Sequence, residues 1–208
     1  MKSKIYFLIG LFSLTLGLFI IGKNYYHNSQ NNEISNLVRS HSPKMGALNP
    51  KVTLVEFFDP ECESCRAFYP YVKDIMEEFK DDVQLVLRYM PFHGNSKEAI
   101  AALEASKKQG LYWESLELLY RTQPMWGSHH HPQIELIYNY LPTVGINVDQ
   151  LKKEMKSPTI QDIIKTDYAD GKILEVRATP TFFINGKKLV DFSVQGLKNS
   201  IESALKNQ

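Results

Sequence analysis

The chain has 208 residues, 43% of them hydrophobic and 23% charged, a globular balance that excludes a disordered or collagen-like protein. Twenty-four basic residues face 23 acidic ones for a formal charge of +1, so there is no basic excess to neutralise phosphates and no nucleic-acid partner is expected. Two cysteines, Cys62 and Cys65, are too few for a disulfide-dense scaffold or a four-cysteine zinc site.

Behind Lys2 and Lys4, residues 5–22 carry no charge. As a helix they span roughly 27 Å, just short of the ~30 Å hydrocarbon core of a bilayer. Tyr25 and Tyr26 suit the far interface, and the lysine bias puts the start in the cytoplasm and residues 24–208 outside. Residues 1–23 are therefore expected to be a transmembrane anchor. A cleaved signal peptide is the rival, but Leu18–Gly22 offers no small-x-small site; a buried core helix is the third reading. The first two both export the chain to a compartment that permits disulfide chemistry.

Residues 24–47, rich in Asn, Ser, Gln and His, read as a polar linker with a turn at Ser42-Pro43 and a short helix near residues 34–38. Residues 52–58 (VTLVEFF) are apolar on both alternating faces, as in a strand covered on both sides. From Ser64, the recurrence of Phe68, Val72, Ile75, Met76 and Phe79 gives an amphipathic helix, with Pro70 expected to kink it. Residues 83–89 (VQLVLRY) form a second buried strand.

Helices follow over 96–109, with Ser96 as N-cap, and over 111–121. A loop covers 123–132, and further helical stretches lie near 133–140, 148–155 and 159–171. Strands at 181–184 and 187–190 flank Asn185-Gly186, a type I′ hairpin signal. A last helix covers 196–206. The order β-α-β, helical block, β-β-α predicts an α/β sheet domain from residues 48–92 and 172–208, with an inserted all-helical subdomain at 93–171.

Cys62-Glu63-Ser64-Cys65 sits at the junction of the first strand and the first helix. Free backbone N–H groups and the helix dipole lower the pKa of a cysteine placed there from ~8.5. A second cysteine one turn further in can resolve a mixed disulfide. A structural disulfide and half of a metal site are the alternatives, and the small loop makes a poor staple. Glu56 lies within the apolar strand, six residues before Cys62. It is either a strand-edge acid facing water or a buried acid beneath the pair, where a raised pKa would let it pass a proton to Cys65. Pro180 opens a strand, and the sequence leaves its peptide bond undecided between cis and trans.

Together VEFFDPECESC, the helix with Pro70, and ATPTFFINGK resemble the thioredoxin superfamily. The helical block containing FHGNSKEAIAALEASKKQGLYWESLELLY resembles its DsbA-like branch, the exported thiol:disulfide oxidoreductases of bacteria. The resemblance covers about residues 48–207. It implies a thioredoxin fold with Cys62 as exposed nucleophile, Cys65 as buried partner and Glu56 as the family's buried acid. It also implies a substrate-peptide groove at Thr179 and a cis Pro180, beside the dipeptide Glu63 and Ser64. Strongly oxidising members carry histidine in that dipeptide, and Glu63-Ser64 stabilises a thiolate less.

The expectation is thus a periplasmic or otherwise extracytoplasmic oxidase, anchored to the cytoplasmic membrane or soluble after cleavage. It would act on cysteine-containing exported proteins, need no cofactor, and be reoxidised by a DsbB-like membrane redox partner. A reductase or isomerase kept reduced by a membrane donor is the first alternative, and a membrane-anchored binding or chaperone module the second. His129-His130-His131 reads as a polar loop rather than a metal site, and Met125 and Trp126 as packing.

Overall fold

A computed structural model describes residues 37–128 and 131–207, and the chain divides into compact units at 1–37 and 38–208. The expected anchor at 1–23, most of the linker, and His129 and His130 lie outside the described residues. Among the described residues no helix is long and apolar enough to cross a membrane.

The second unit is built on a five-stranded sheet of β1 (Lys44–Gly46), β2 (Val52–Phe58), β3 (Val83–Tyr89), β4 (Thr181–Ile184) and β5 (Lys187–Lys188), in the order β1-β3-β2-β4-β5. β2 and β3 pair in parallel across the crossover helix α1 (Glu63–Glu78), and every other pairing is antiparallel. The two central strands are buried at every position but the second, as runs apolar on both faces demand. Asn185 and Gly186 both take positive φ, as a type I′ turn requires, and the Asn185 carboxamide oxygen accepts the N–H of Thr53 at 2.8 Å.

Between β3 and β4 come α2 (Ser96–Lys108), α3 (Tyr112–Trp126), two 3₁₀ turns flanking the single-turn α4 (Ile137–Tyr140), α5 (Val148–Glu154) and α6 (Pro158–Ile173); α7 (Val194–Lys206) closes the chain. Three expectations are corrected here. Ser96 is not an N-cap but the first helical residue, because its hydroxyl donates to the buried carboxylate of Asp59 at 2.7 Å. The helix read as ending at Arg121 runs through Pro124 to Trp126, whose fully buried indole donates to the Leu119 carbonyl at 2.9 Å. Finally, the segment read as linker supplies strand β1.

The β1 edge is tied down by charge. Arg88 of β3, with no solvent exposure, reaches Asp167 Oδ1 at 2.9 Å and Asp170 Oδ2 at 2.5 Å on α6. Arg39 then grips the Asp170 carboxylate with Nε at 2.8 Å and Nη2 at 2.7 Å, and His41 Nε2 lies 2.6 Å from Asp167 Oδ1. Burial pushes the Asp170 carboxyl up, but the two guanidinium groups outweigh it and hold it below its ordinary value. The last helix of the block between β3 and β4 is thereby fastened to the sheet itself.

Gly46 ends β1 at φ +96°, and a Cβ there would sit 2.3 Å from the Val83 carbonyl oxygen. Gly46→Ala is therefore expected to cost about 1–3 kcal/mol, read by urea unfolding, with thiol reactivity at Cys62 unchanged.

Candidate redox site

Cys62 occupies the N-cap position of α1 with an extended backbone, so its carbonyl accepts the first helical N–H, from Arg66 at 3.1 Å. Cys65 lies one turn in, fully buried, whereas Cys62 retains 7% exposure. The two therefore differ in access, although even Cys62 is largely covered rather than openly exposed. Both are free thiols.

The environments push the two sulfurs apart. Cys62 is lowered to about 5, first by the hydrogen bond from Cys65, against the opposing effect of burial. The Thr179 side chain and the backbone N–H groups of Cys65 and Ser64 add to the lowering. Burial, the same bond to Cys62 and the charge of Glu56 push Cys65 well above its ordinary value. Glu56, on β2 and 4% exposed, is raised to about 8 by burial and then by the charge on Cys62. Of its two sequence readings the structure selects the buried one. Tyr120 is likewise raised by burial, with Cys65 and Glu56 as the next contributors.

Thr179-Pro180 is a cis peptide, and Cys62 Sγ lies 3.2 Å from the Thr179 carbonyl oxygen. Ser64, Thr179, Pro180, Phe182 and Phe192 share a groove of about 440 Å³. Phe192, half exposed, stacks on Phe68 with ring centroids 4.9 Å apart. Glu63 is exposed but does not line this groove. The structure thus brings Cys62, Cys65, Glu56, Ser64, Thr179 and Pro180 together, and Glu63 borders them.

Sequence reasoning missed the scaffold under the loop. Asp59, with no exposure, accepts Phe92 N at 2.8 Å, His93 N at 3.3 Å and Ser96 Oγ at 2.7 Å on one oxygen, and Glu61 N at 2.9 Å on the other. His93 Nδ1 lies 2.8 Å from Asp59 Oδ2, the oxygen that also takes Phe92 N, His93 N and Ser96 Oγ. Burial lowers the pKa of this imidazole, but Asp59, with smaller help from Cys62 and Glu61, leaves it raised overall. Glu61, also buried, takes the N–H of Asn95 at 2.7 Å and its carboxamide at 3.0 Å. The one local signal was a pair of carboxylates directly after a buried strand. Among the described residues no three His, Cys, Asp or Glu side chains gather as a metal site would require.

A thioredoxin family model matches residues 39–203. The chain belongs to the thioredoxin family. Its fold is similar to a thioredoxin-like oxidoreductase from Silicibacter pomeroyi DSS-3, with 25% identity, a TM-score of 0.71, and coverage of 81% of this chain and 94% of that one. BdbD from Bacillus subtilis in its oxidised form is similar at 27% identity and TM-score 0.71, covering 80% and 94%. Wolbachia pipientis alpha-DsbA1 shares the fold at 18% identity and TM-score 0.73, covering 83% and 96%. The DsbA-like resemblance read from the motifs is thus matched by the solved structures. Among curated proteins, the chain is 30% identical over 144 residues to a Na(+)/H(+) antiporter NhaA of Herminiimonas arsenicoxydans, covering 69% of this chain but 22% of that protein. The chain spans about a quarter or less of the length of the curated relatives it matches.

Proposed function

We propose that the chain is an extracytoplasmic thiol:disulfide oxidoreductase that oxidises cysteine-containing exported proteins. The observation that carries this reading is the placement of the two sulfurs, Cys62 at the N-cap of α1 and Cys65 fully buried one turn in, which lowers the first to about 5 and pushes the second well up. A stabilised thiolate favours the reduced enzyme, and an enzyme whose reduced form is stabilised is an oxidant.

Magnitudes support the same direction. At pH 7 a sulfur with pKa 5 is about 100-fold more ionised than an ordinary thiol, but its nucleophilicity falls by nearly as much at a Brønsted slope of ~0.45. The low pKa therefore gains little for attack by Cys62. Its benefit is in departure, since a low-pKa thiolate leaves faster.

In the proposed cycle a substrate thiolate attacks Cys62 Sγ of the Cys62–Cys65 disulfide. The S–S bond breaks, and Cys65 leaves and takes the proton that Glu56, raised to about 8, holds at neutral pH. The second substrate thiolate then attacks the substrate sulfur of the mixed disulfide and Cys62 departs ionised. The substrate loses two electrons and the enzyme gains them. The groove at Ser64, Thr179 and Pro180 would hold the substrate chain in extended form.

By family analogy, a DsbB-like quinone-linked membrane protein would reoxidise the pair. An N-terminal anchor would raise the effective concentration of that partner. In this arrangement residues 48–92 and 172–208 carry the chemistry, and residues 93–171 form a helical insertion.

Cys65→Ser is expected to accumulate mixed disulfides between Cys62 and exported proteins, detected on non-reducing gels. Acid-trapped wild-type protein is expected to be mainly disulfide-bonded in the cell. A mainly dithiol population would assign the chain to a reductase or isomerase instead. No mixed disulfides from Cys65→Ser would point to a binding or chaperone module.

A further inference from the structure

Gln123 lies in α3, beyond β3 in sequence, and is 1% exposed. Its Nε2 donates to the carbonyl oxygens of Pro60 at 2.8 Å and Cys62 at 3.1 Å, and its Oε1 accepts Arg66 Nε at 2.8 Å. Both amide hydrogens are thus committed to the loop that carries the first cysteine. The Cys62 carbonyl also accepts the Arg66 N–H that starts α1, so two donors converge on one oxygen and fix its peptide plane. The contact is close: a Cβ on Gly127 would come 3.3 Å from Gln123 Cγ and 3.4 Å from Glu61 Cγ.

We propose that Gln123 is a positioning residue for the redox reaction, through which α3 sets the orientation of the Cys62 peptide and so aims the first free N–H groups of α1 at Cys62 Sγ. This rests on the reading of Cys62 as the reactive sulfur. The amide is suited to the task because it donates twice and accepts once. Removing the donors leaves two buried carbonyls without them and frees the loop to rotate. No formal charge is introduced or lost, although Arg66 loses the acceptor of its Nε.

The test is titration of thiolate absorbance near 240 nm in reduced full-length protein, with urea unfolding measured on the same samples. Gln123→Met is expected to raise the Cys62 midpoint by about one pH unit, since one net hydrogen bond to a charged group is of that order. That is about fivefold less thiolate at pH 5. Leu116→Ala, a buried truncation in the same helix, is expected to lower stability while leaving the midpoint in place. Should Gln123→Met not fold, Gln123→Asn, whose amide is withdrawn by one methylene, is expected to show the same rise. An unmoved midpoint in the folded Gln123 variant, or an equal rise in Leu116→Ala, overturns the proposal. A wild-type midpoint near that of an ordinary thiol instead refutes the reading of Cys62 on which it rests.

Discussion

Cys62→Ser is expected to reduce disulfide exchange to the uncatalysed background, measured as oxidation of a reduced dithiol peptide, while the fold is retained. Serine is close to cysteine in shape, and the site donates to Cys62 through the N–H groups of Ser64 and Cys65 and the side chains of Thr179 and Cys65. An alkoxide does not form there at neutral pH, and no disulfide can form at all. Cys65→Ser differs in kind: it has no disulfide to pass on, but its Cys62 thiolate still attacks the disulfide of an oxidised client, one client sulfur leaving as thiolate, and the mixed disulfide so formed lacks the Cys65 thiol that would release it. Activity in Cys62→Ser comparable to that of the native protein would remove the chemistry from this pair altogether.

The second expectation concerns stability against pH in the reduced protein. Glu56 has an ordinary value of 4.5 and a native value of about 8. The native state binds the extra proton between those values, so this group weakens the fold as pH rises through that window and contributes no slope above it. Cys62 runs the other way, from 9.0 down to about 5, and strengthens the fold as pH rises between those values. From about pH 5 to 8 the two slopes cancel. Folding moves one negative charge from a carboxylate to a sulfur without net uptake of a proton.

Cys62→Ser should therefore lose stability from pH 4.5 toward 8. The loss should amount to a few kcal/mol at about 1.4 kcal/mol per pH unit, reduced by the missing thiolate charge. Glu56→Gln should gain stability between pH 5 and 9. Urea unfolding of the three reduced proteins across pH 4–9 checks this. His93 and Asp170 are common to all three, so their titrations largely drop out of the differences. Parallel curves for all three would show that Glu56 and Cys62 are not held as described.

How much of this was legible in the sequence depended on how local the cause was. Cys62 and Cys65 declare themselves by spacing, and Glu56 by being the one charge in VTLVEFF, where burial follows from its neighbours. The hairpin at Asn185-Gly186 likewise follows from a two-residue rule. The burial of Asp59, Glu61 and Gln123 was not legible, because it depends on partners 34 to 63 positions away. Ser96 looked like a helix cap because its sequence context is that of one, yet a carboxylate from the loop after β2 takes its hydroxyl. β1 was missed for a related reason. Three residues ending in glycine carry no period, and only pairing with β3 makes them a strand.

The margins of the sheet bear on the company such a protein keeps. β1 is three residues long and opens on Lys44, and β5 consists of Lys187 and Lys188, both exposed. Short borders dressed in ammonium groups give an unfolded polypeptide little to add itself to as a further strand. On the function proposed above, a catalyst that meets its clients before they have folded would thereby be spared from becoming a template for their aggregation.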